Sequence, residues 1–204
     1  DLLDGAGATL LPFPLFEAGL TSWTSGPRLD LLRRHLGEPF RELAGTITAD
    51  QVNVGARDEA DAFAVFARFR AILPEILGLA AGSPFRQGKP NGTASNRMVV
   101  YDDIVSPLLQ DSRIPPEMSS LADYASFLRR QPFFQSPGTC YSYLRPMPHR
   151  GVAVEIRCID KQASLAETLS FVALSKAVML STGELPVAPD PSLAAVLASR
   201  RHGV

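Results

Sequence analysis

Glu155 and Arg157 stand two residues apart in the stretch Gly151-Val-Ala-Val-Glu-Ile-Arg-Cys-Ile-Asp160. The two-residue period of a strand puts both side chains on one side of a sheet. A carboxylate there can ligate a hard divalent cation. An arginine beside it can grip a phosphate or a carboxylate through two parallel hydrogen bonds. The same spacing describes an ion pair on a solvated strand face, and from spacing alone that is the commoner case. Residues 46–54 repeat the alternation, with Gln51 and Asn53 on one face and Val52 and Val54 on the other. Such alternation is ordinary for a half-buried strand. The expectation is that both strands join one sheet and that their polar faces line one cavity.

Two further groups of polar residues could serve such a cavity. Residues 82–97 read as one long loop carrying Arg86, Lys89 and Arg97, with Ser83, Ser95 and Asn96 as hydroxyl and amide donors. Loops of that length are commonly functional, and this one could gather around an anion, although a plain solvated loop has the same composition. Tyr141, Tyr143, Arg145, His149 and Arg150 precede the later strand. A lone histidine in that setting reads as a structural residue. No Gly-x-Ser-x-Gly elbow, phosphate loop or His-Glu-x-x-His motif occurs, so hydrolase, P-loop and metalloprotease chemistry find no support.

The elements that must position these residues are mostly helical. Residues 1–26 hold too many glycines and prolines for a regular element and read as a loop pinned by Phe13, Phe16 and Trp23. Pro27 suits the first turn of a helix running to about His35. Asp58 is an N-cap for a helix whose buried stripe is Ala62, Phe66, Phe69 and Leu73, broken at Pro74 before a second helix over 75–81. Ser120 starts a short helix closed by Pro132, and residues 139–143 have strand character. Ser164 and Glu167 form a capping box for a helix to Leu180 that is apolar nearly all round, predicting burial. Asp190 and Pro191 start a last helix. Few strands among many helices give an α+β class.

Composition limits the partners. The chain has 204 residues, 46% of them hydrophobic and 20% charged, with a formal net charge of −1. It is long enough for one good-sized domain. The near-neutral balance gives no basic patch for nucleic acid, and no apolar run approaches a bilayer span, so a soluble cytoplasmic protein is expected. Cys140 and Cys158 read as reduced thiols.

Four blocks resemble the carboxylate–amine ligases of the bacterial and archaeal glutamate–cysteine ligase type, within the glutamine synthetase-like superfamily. Gln51-Val-Asn-Val-Gly55 resembles that family's His-Val-His-Val-Gly strand. Leu79-Ala-Ala-Gly-Ser-Pro-Phe85 with Ala94-Ser-Asn-Arg97 resembles its Ser-Pro-Phe loop and the Ser-x-Arg that follows. Glu155-Ile-Arg157 with Asp160 resembles its Glu-x-Arg strand, and Ser199-Arg-Arg-His-Gly203 an Ala-Arg-x-Gly segment. The resemblance implies a curved antiparallel sheet with helices packed on one face. It also implies one catalytic domain over 1–204: a loop-and-helix lead-in over 1–44, a core over 45–182 and a C-terminal helix over 183–204.

The activity implied is ATP-dependent: a carboxylate becomes an acyl phosphate, and an amine displaces phosphate to give an amide such as γ-glutamylcysteine. Carried over by position, Glu155 and Gln51 are metal ligands for Mg2+. Arg157 and Arg97 are catalytic and, with Ser95, hold the nucleotide. Asn53, Ser83 and Arg86 bind the amino-acid substrates. The family's paired-glutamate strand has no counterpart before Thr46, and Gln51 and Asn53 replace two histidines. These departures motivate a second reading, a nucleotide- or amino-acid-binding subunit on the same scaffold. An unrelated α+β scaffold is a third. An open sheet edge implies a homo-oligomer or a partner chain completing the sheet, with no nucleic acid and no membrane.

Overall fold

The computed structural model describes residues 5, 7, 11–17, 26–37, 40, 44–109, 113–131, 140–148, 152–181 and 192–203. Seven helices and two small antiparallel sheets make an α+β arrangement among them. Helix α1 (Pro27–Leu36) has its proline in the first turn and ends at Gly37, whose φ of 74° suits only a residue without a Cβ. Strand β1 (Val52–Gly55) is shorter than the sequence predicts. Ile47 and Ala49 make only isolated bridges, to Leu15 and Asp160.

Helix α2 (Glu59–Ala71) starts where Asp58 accepts the Asp61 N–H at 2.8 Å. Its successor α3 (Leu73–Leu79) has Pro74 in the first turn, where a missing N–H costs no helical bond. The expected loop over 82–97 is partly regular. Phe85–Arg86 (β2) and Lys89–Pro90 (β3) form a hairpin whose turn residues, Gln87 and Gly88, have φ of 51° and 72°. Two left-handed residues in a row give the twist a two-residue hairpin needs. Helix α4 (Asn96–Leu109) follows, its start capped by Ser95, which accepts the Met98 N–H.

Helix α5 (Leu121–Arg130) is capped by Ser120 as expected. The strand expected over 139–143 is displaced: β4 is Leu144–Pro146. The Tyr143 N–H is turned to the Arg113 carbonyl, while its own carbonyl accepts from Arg157 N–H. Strand β5 (Ala153–Ile156) lies between β1 and β4. The register pairs Val52 and Leu144 with Ile156, and Asn53 and Arg145 with Glu155. One face is therefore apolar and the other carries Asn53, Glu155 and Arg145 in one row. Helix α2 packs on β4 and β5, and α6 (Leu165–Leu180) on β1. The polar face is not open, because side chains of α1 and α4 close over part of it.

Helix α6 departs from expectation. Its capping box is formed as predicted, but only Phe171, Ser175 and Val178 are buried. Leu165 is 73% exposed, and Leu169, Val172 and Leu180 are exposed as well. Hydrophobicity all round a helix signals burial only where some element covers each face, and none of the described residues covers this stripe. Ser164→Ala, which removes half of the box, is expected to cost about 1 kcal/mol and lower the melting temperature by about 2–4 °C in a scan of the two proteins.

Phe13 and Phe16 are half exposed and do not pin the amino-terminal segment. Backbone bonds from Phe16 to Thr46 and from Thr48 to Pro14 hold it instead; Trp23 lies outside the described residues. Helix α7 (Leu193–His202) is capped by Ser192, whose hydroxyl accepts the Ala195 N–H. Asp190 and Pro191, expected in that role, lie outside the described residues. Arg201 and Arg200 of α7 offer their carbonyls to the N–H groups of Ala94 and Ser95, each at 3.0 Å. The Arg200 guanidinium reaches buried Asp102 at 2.5 Å. The end of α7 therefore braces the turn from which α4 departs. No helix among the described residues is long and apolar enough to cross a membrane.

Candidate active site

Glu155 is central in its row and 3% exposed. Arg145 Nε from β4 and Arg157 Nη1 both donate to its Oε2, the latter at 3.0 Å. The pair spotted in the sequence is thus an ion pair, but a buried one, joined by a second guanidinium. Burial is the largest single influence on the Glu155 carboxyl and pushes its pKa up. The charges of Arg157 and Arg145 outweigh it and hold the pKa below its ordinary 4.5.

Arg97 enters from the first turn of α4 and is 2% exposed. Its terminal nitrogens donate to the carbonyls of Arg157 and Ile159 at 3.2 and 3.3 Å, and Nη1 lies 3.6 Å from Asp160. Each guanidinium also sits 5.7 Å from a tyrosine ring centre, Arg97 over Tyr101 and Arg157 over Tyr141. The Tyr101 hydroxyl in turn donates to the Tyr141 carbonyl. These contacts fix the planes of both arginines. Yet the Nε–H of Arg97 and that of Arg157 are buried without an acceptor. Both side chains line one cavity of about 370 Å³, with Gln51, Tyr101 and Tyr141 among its walls.

Asp160 organises the loop behind this cavity. It is fully buried and accepts from the Gly82 N–H, from Ser83 Oγ at 2.7 Å and from Ser95 Oγ at 3.0 Å. The Arg97 N–H donates to Ser83 Oγ at 2.9 Å. The two serines of the sequence motif thus secure the base of α4 and do not line the cavity. Arg86 lies apart on the β2–β3 hairpin, 3.6 Å from Glu17 and 3.7 Å from Asp103. Asn53 pairs with Glu155 and is solvent-exposed. The structure therefore gathers Arg97, Arg157 and Gln51 around the cavity, sets Glu155 and Asn53 beside it, and leaves Ser83, Ser95 and Arg86 elsewhere. Sequence reasoning named Asp160 only beside the Glu-x-Arg block, and it missed Tyr101 and the part played by Arg145. The alternation Tyr141-x-Tyr143-x-Arg145 was the available signal for the last.

The family model for glutamate–cysteine ligase family 2 matches residues 6–195. The chain belongs to that family. A protein of Ruegeria pomeroyi named "putative glutamate–cysteine ligase 2" is 30% identical over 159 residues, which is 76% of this chain and 39% of that one. A similarly named protein of Mycolicibacterium vanbaalenii is 29% identical over 184 residues, covering 84% of this chain and 49% of the relative. One from an Enterobacter species is 27% identical over 138 residues, with 66% and 35% covered. The chain thus spans between about a third and a half of the length of these curated relatives.

The donor set at this site suits an anion better than a divalent cation. No group of three His, Cys, Asp or Glu side chains is placed to hold a metal among the described residues. The one carboxylate on the polar face already has two guanidiniums on the same oxygen, and like charges at that distance repel a further cation. With Glu155 so engaged and Gln51 contributing only an amide, these two residues do not by themselves fit Mg2+. Two arginines in one cavity wall, in contrast, suit a phosphoryl or carboxylate group.

Both cysteines are free and buried, Cys140 at 0% and Cys158 at 1% exposure. Burial pushes the Cys158 thiol up to about 12, which denies it a nucleophilic thiolate at neutral pH. A colorimetric thiol count is expected to find neither cysteine in the native protein and both after denaturation. Rapid labelling of the native chain would show that the core opens here.

Proposed function

We propose that this chain carries the acid-activating side of an ATP-dependent carboxylate–amine ligase of the glutamate–cysteine type, on a glutamine synthetase-like scaffold with residues 45–182 as its core. Its substrates are amino acids, its setting is the cytoplasm, and a second copy or a partner chain completes the sheet. The observation that carries this is the pair of guanidiniums, Arg97 and Arg157, lining one cavity without a carboxylate among its described walls, in a chain of this family.

When bound, ATP supplies the phosphoryl group that turns a carboxylate into a good acyl donor. The chain's own work is electrostatic. Arg157 and Arg97 face the charge that grows on the oxygens between acid and phosphoryl group, and Tyr141 and Tyr101 keep their planes from turning. Gln51 stands at the cavity wall. Ser95 and Ser83 act through Asp160, which holds the loop that delivers Arg97. Asn53 and Arg86 remain our candidates for contacts to the amino-acid substrates.

The engagement of Glu155 by two arginines supports a second reading, a binding subunit that holds nucleotide or acid without turnover. Release of ADP from this chain, with a panel of amino acids and amines, separates the two. The ligase reading expects ADP release that requires both acid and amine and falls at least about 100-fold in Arg157→Ala. Saturable ATP binding with no ADP released from any pair favours the binding subunit.

A further inference from the structure

The three-stranded sheet has one closed edge and one open one. On the β4 side all three strand residues are buried, and Pro146 brings no N–H to the rim. The β1 side differs. The Ala56 N–H bonds the Val152 carbonyl at 2.8 Å, and Val54 stands opposite Val154. Antiparallel alternation therefore turns the backbone groups of Val52 and Val54 toward β5, and those of Asn53 and Gly55 outward. Both outward residues are exposed, and among the described residues neither has a backbone partner on that side. A Cβ built on Gly55 would meet nothing within 4 Å. Val52-Asn53-Val54-Gly55 holds no charge and no proline, the usual guards of an exposed edge. At the end of the strand a recess of about 530 Å³ stands unfilled, with apolar walls from Ala56, Met179 and Leu180 and polar ones from Arg57, Asp61 and Arg68.

What can cover this edge is narrowed by α6, which packs on β1. Thr168 Oγ1 donates to Asp50 at 2.7 Å near the start of the helix, and Leu180 at its end shares the recess with Gly55. Two β1 strands joined about a two-fold axis normal to the sheet would lie about 4.8 Å apart. The two helices above them would need about 8–10 Å. A second copy joined in that way is obstructed by its own α6, while a strand with no helix above it is not. More than half of each relative named above lies outside the stretch it shares with this chain. From these observations we infer that the β1 edge receives one extended strand from the part of the family's polypeptide outside that stretch, bonded to the N–H and C=O groups of Asn53 and Gly55. The side chains of that strand alternate. Apolar ones continue the face of Val52 and Val54 beneath α6, and polar ones continue the row of Asn53, Glu155 and Arg145. This deepens the sheet completion proposed above and rests on it for the source of the strand, but the pairing itself requires neither ATP nor an amine.

The probes are overlapping synthetic peptides of about 12 residues, twice an ordinary strand, drawn from the Ruegeria pomeroyi protein outside the part aligned with this chain. Each is titrated into the intact chain while amide exchange is followed by NMR. Neighbouring peptides from one stretch are expected to bind at millimolar concentration or below, and to slow exchange at Asn53 and Gly55 at least about tenfold. Alternate backbone nitrogens of the bound peptide are then methylated, one set in one version and the other set in a second. Binding should be abolished in only one of the two, because only one rim of the peptide faces β1. Gly55→Pro removes an outward N–H and no ladder bond, so it weakens peptide binding at least about tenfold, whereas Gly55→Ala does not. Binding by no peptide overturns the inference. So does a bound peptide that leaves both amides exchanging as before, equal binding of the two methylated versions, or unchanged affinity in a folded Gly55→Pro. Protection of the two amides by self-association, without peptide, assigns the edge to a second copy and overturns it as well. The methylated pair needs no variant, so it decides the matter even if Gly55→Pro does not fold. Peptide binding with no ADP release from any acid and amine retires the ligase reading and keeps the edge. ADP release with no peptide binding does the reverse.

Discussion

Asp160→Ala is expected to lower the melting temperature by roughly 6–20 °C, the equivalent of about 3–5 kcal/mol. The carboxylate has no solvent exposure and gathers the Gly82 N–H and the hydroxyls of Ser83 and Ser95, with Arg97 Nη1 3.6 Å away. Removing it strands a buried guanidinium and leaves hydroxyls and an amide without their acceptor. Those are the circumstances in which a single change costs most. Asp160→Asn, which keeps one acceptor oxygen but not the charge, is expected to fall between the variant and the wild type. Thermal unfolding of the three proteins side by side checks the order. A loss below about 1 kcal/mol in the alanine variant is what an exposed ion pair gives, and it would mean that the loop is held by something else.

Glu155→Ala carries the second large effect, again about 3–5 kcal/mol, because it leaves Arg145 and Arg157 with a buried partner missing. The pH dependence has a definite sign. The folded-state pKa of Glu155 lies below its ordinary 4.5, so its contribution is complete above that value and drains away as pH falls through the folded pKa. Asp102 runs the other way. Burial, its largest influence, raises its pKa above 3.8 despite Tyr143, Arg113 and Arg200. Its contribution is complete below 3.8 and is lost as pH rises through the folded value. Denaturant midpoints for wild type, Glu155→Gln and Asp102→Asn across pH 3 to 7 test both. The wild-type advantage over Glu155→Gln should shrink toward acid, and that over Asp102→Asn should shrink away from it. A constant gap in either series contradicts the corresponding assignment.

Much of this geometry was readable from local chemistry. Asp58, Ser120 and Ser164 announce their helices because a short polar side chain before an apolar run has one well-defined use, the capping of free N–H groups. The pairing of 52–55 with 153–156 could be anticipated because alternation fixes which side chains share a face, and the register sets Asn53 opposite Glu155 accordingly. What eluded the sequence depends on distant residues. Arg145 meets Glu155 across a strand pair, which no spacing within β5 encodes. Gln87 takes a left-handed conformation that its residue type does not advertise, so the hairpin hid inside an apparent loop. The apolar face of α6 reads the same whether covered or bare. The apolar roof of the cavity comes from a lead-in segment, around Leu29, Leu32 and Phe40, that carries no motif at all.

The brace between α7 and the base of α4 bears on how the molecule comes together. Arg200 and Asp102 are 98 positions apart, and the Ala94 and Ser95 amides wait on carbonyls at 201 and 200. During vectorial synthesis β1 must wait for β5, a pairing complete once residue 156 is out, whereas this junction must wait for residues 200 and 201 as well. Contacts of such long range are slow to close. The hollow around Arg97 is therefore completed only after residue 201 has emerged, and a nascent chain stalled short of residue 200 carries it unfinished.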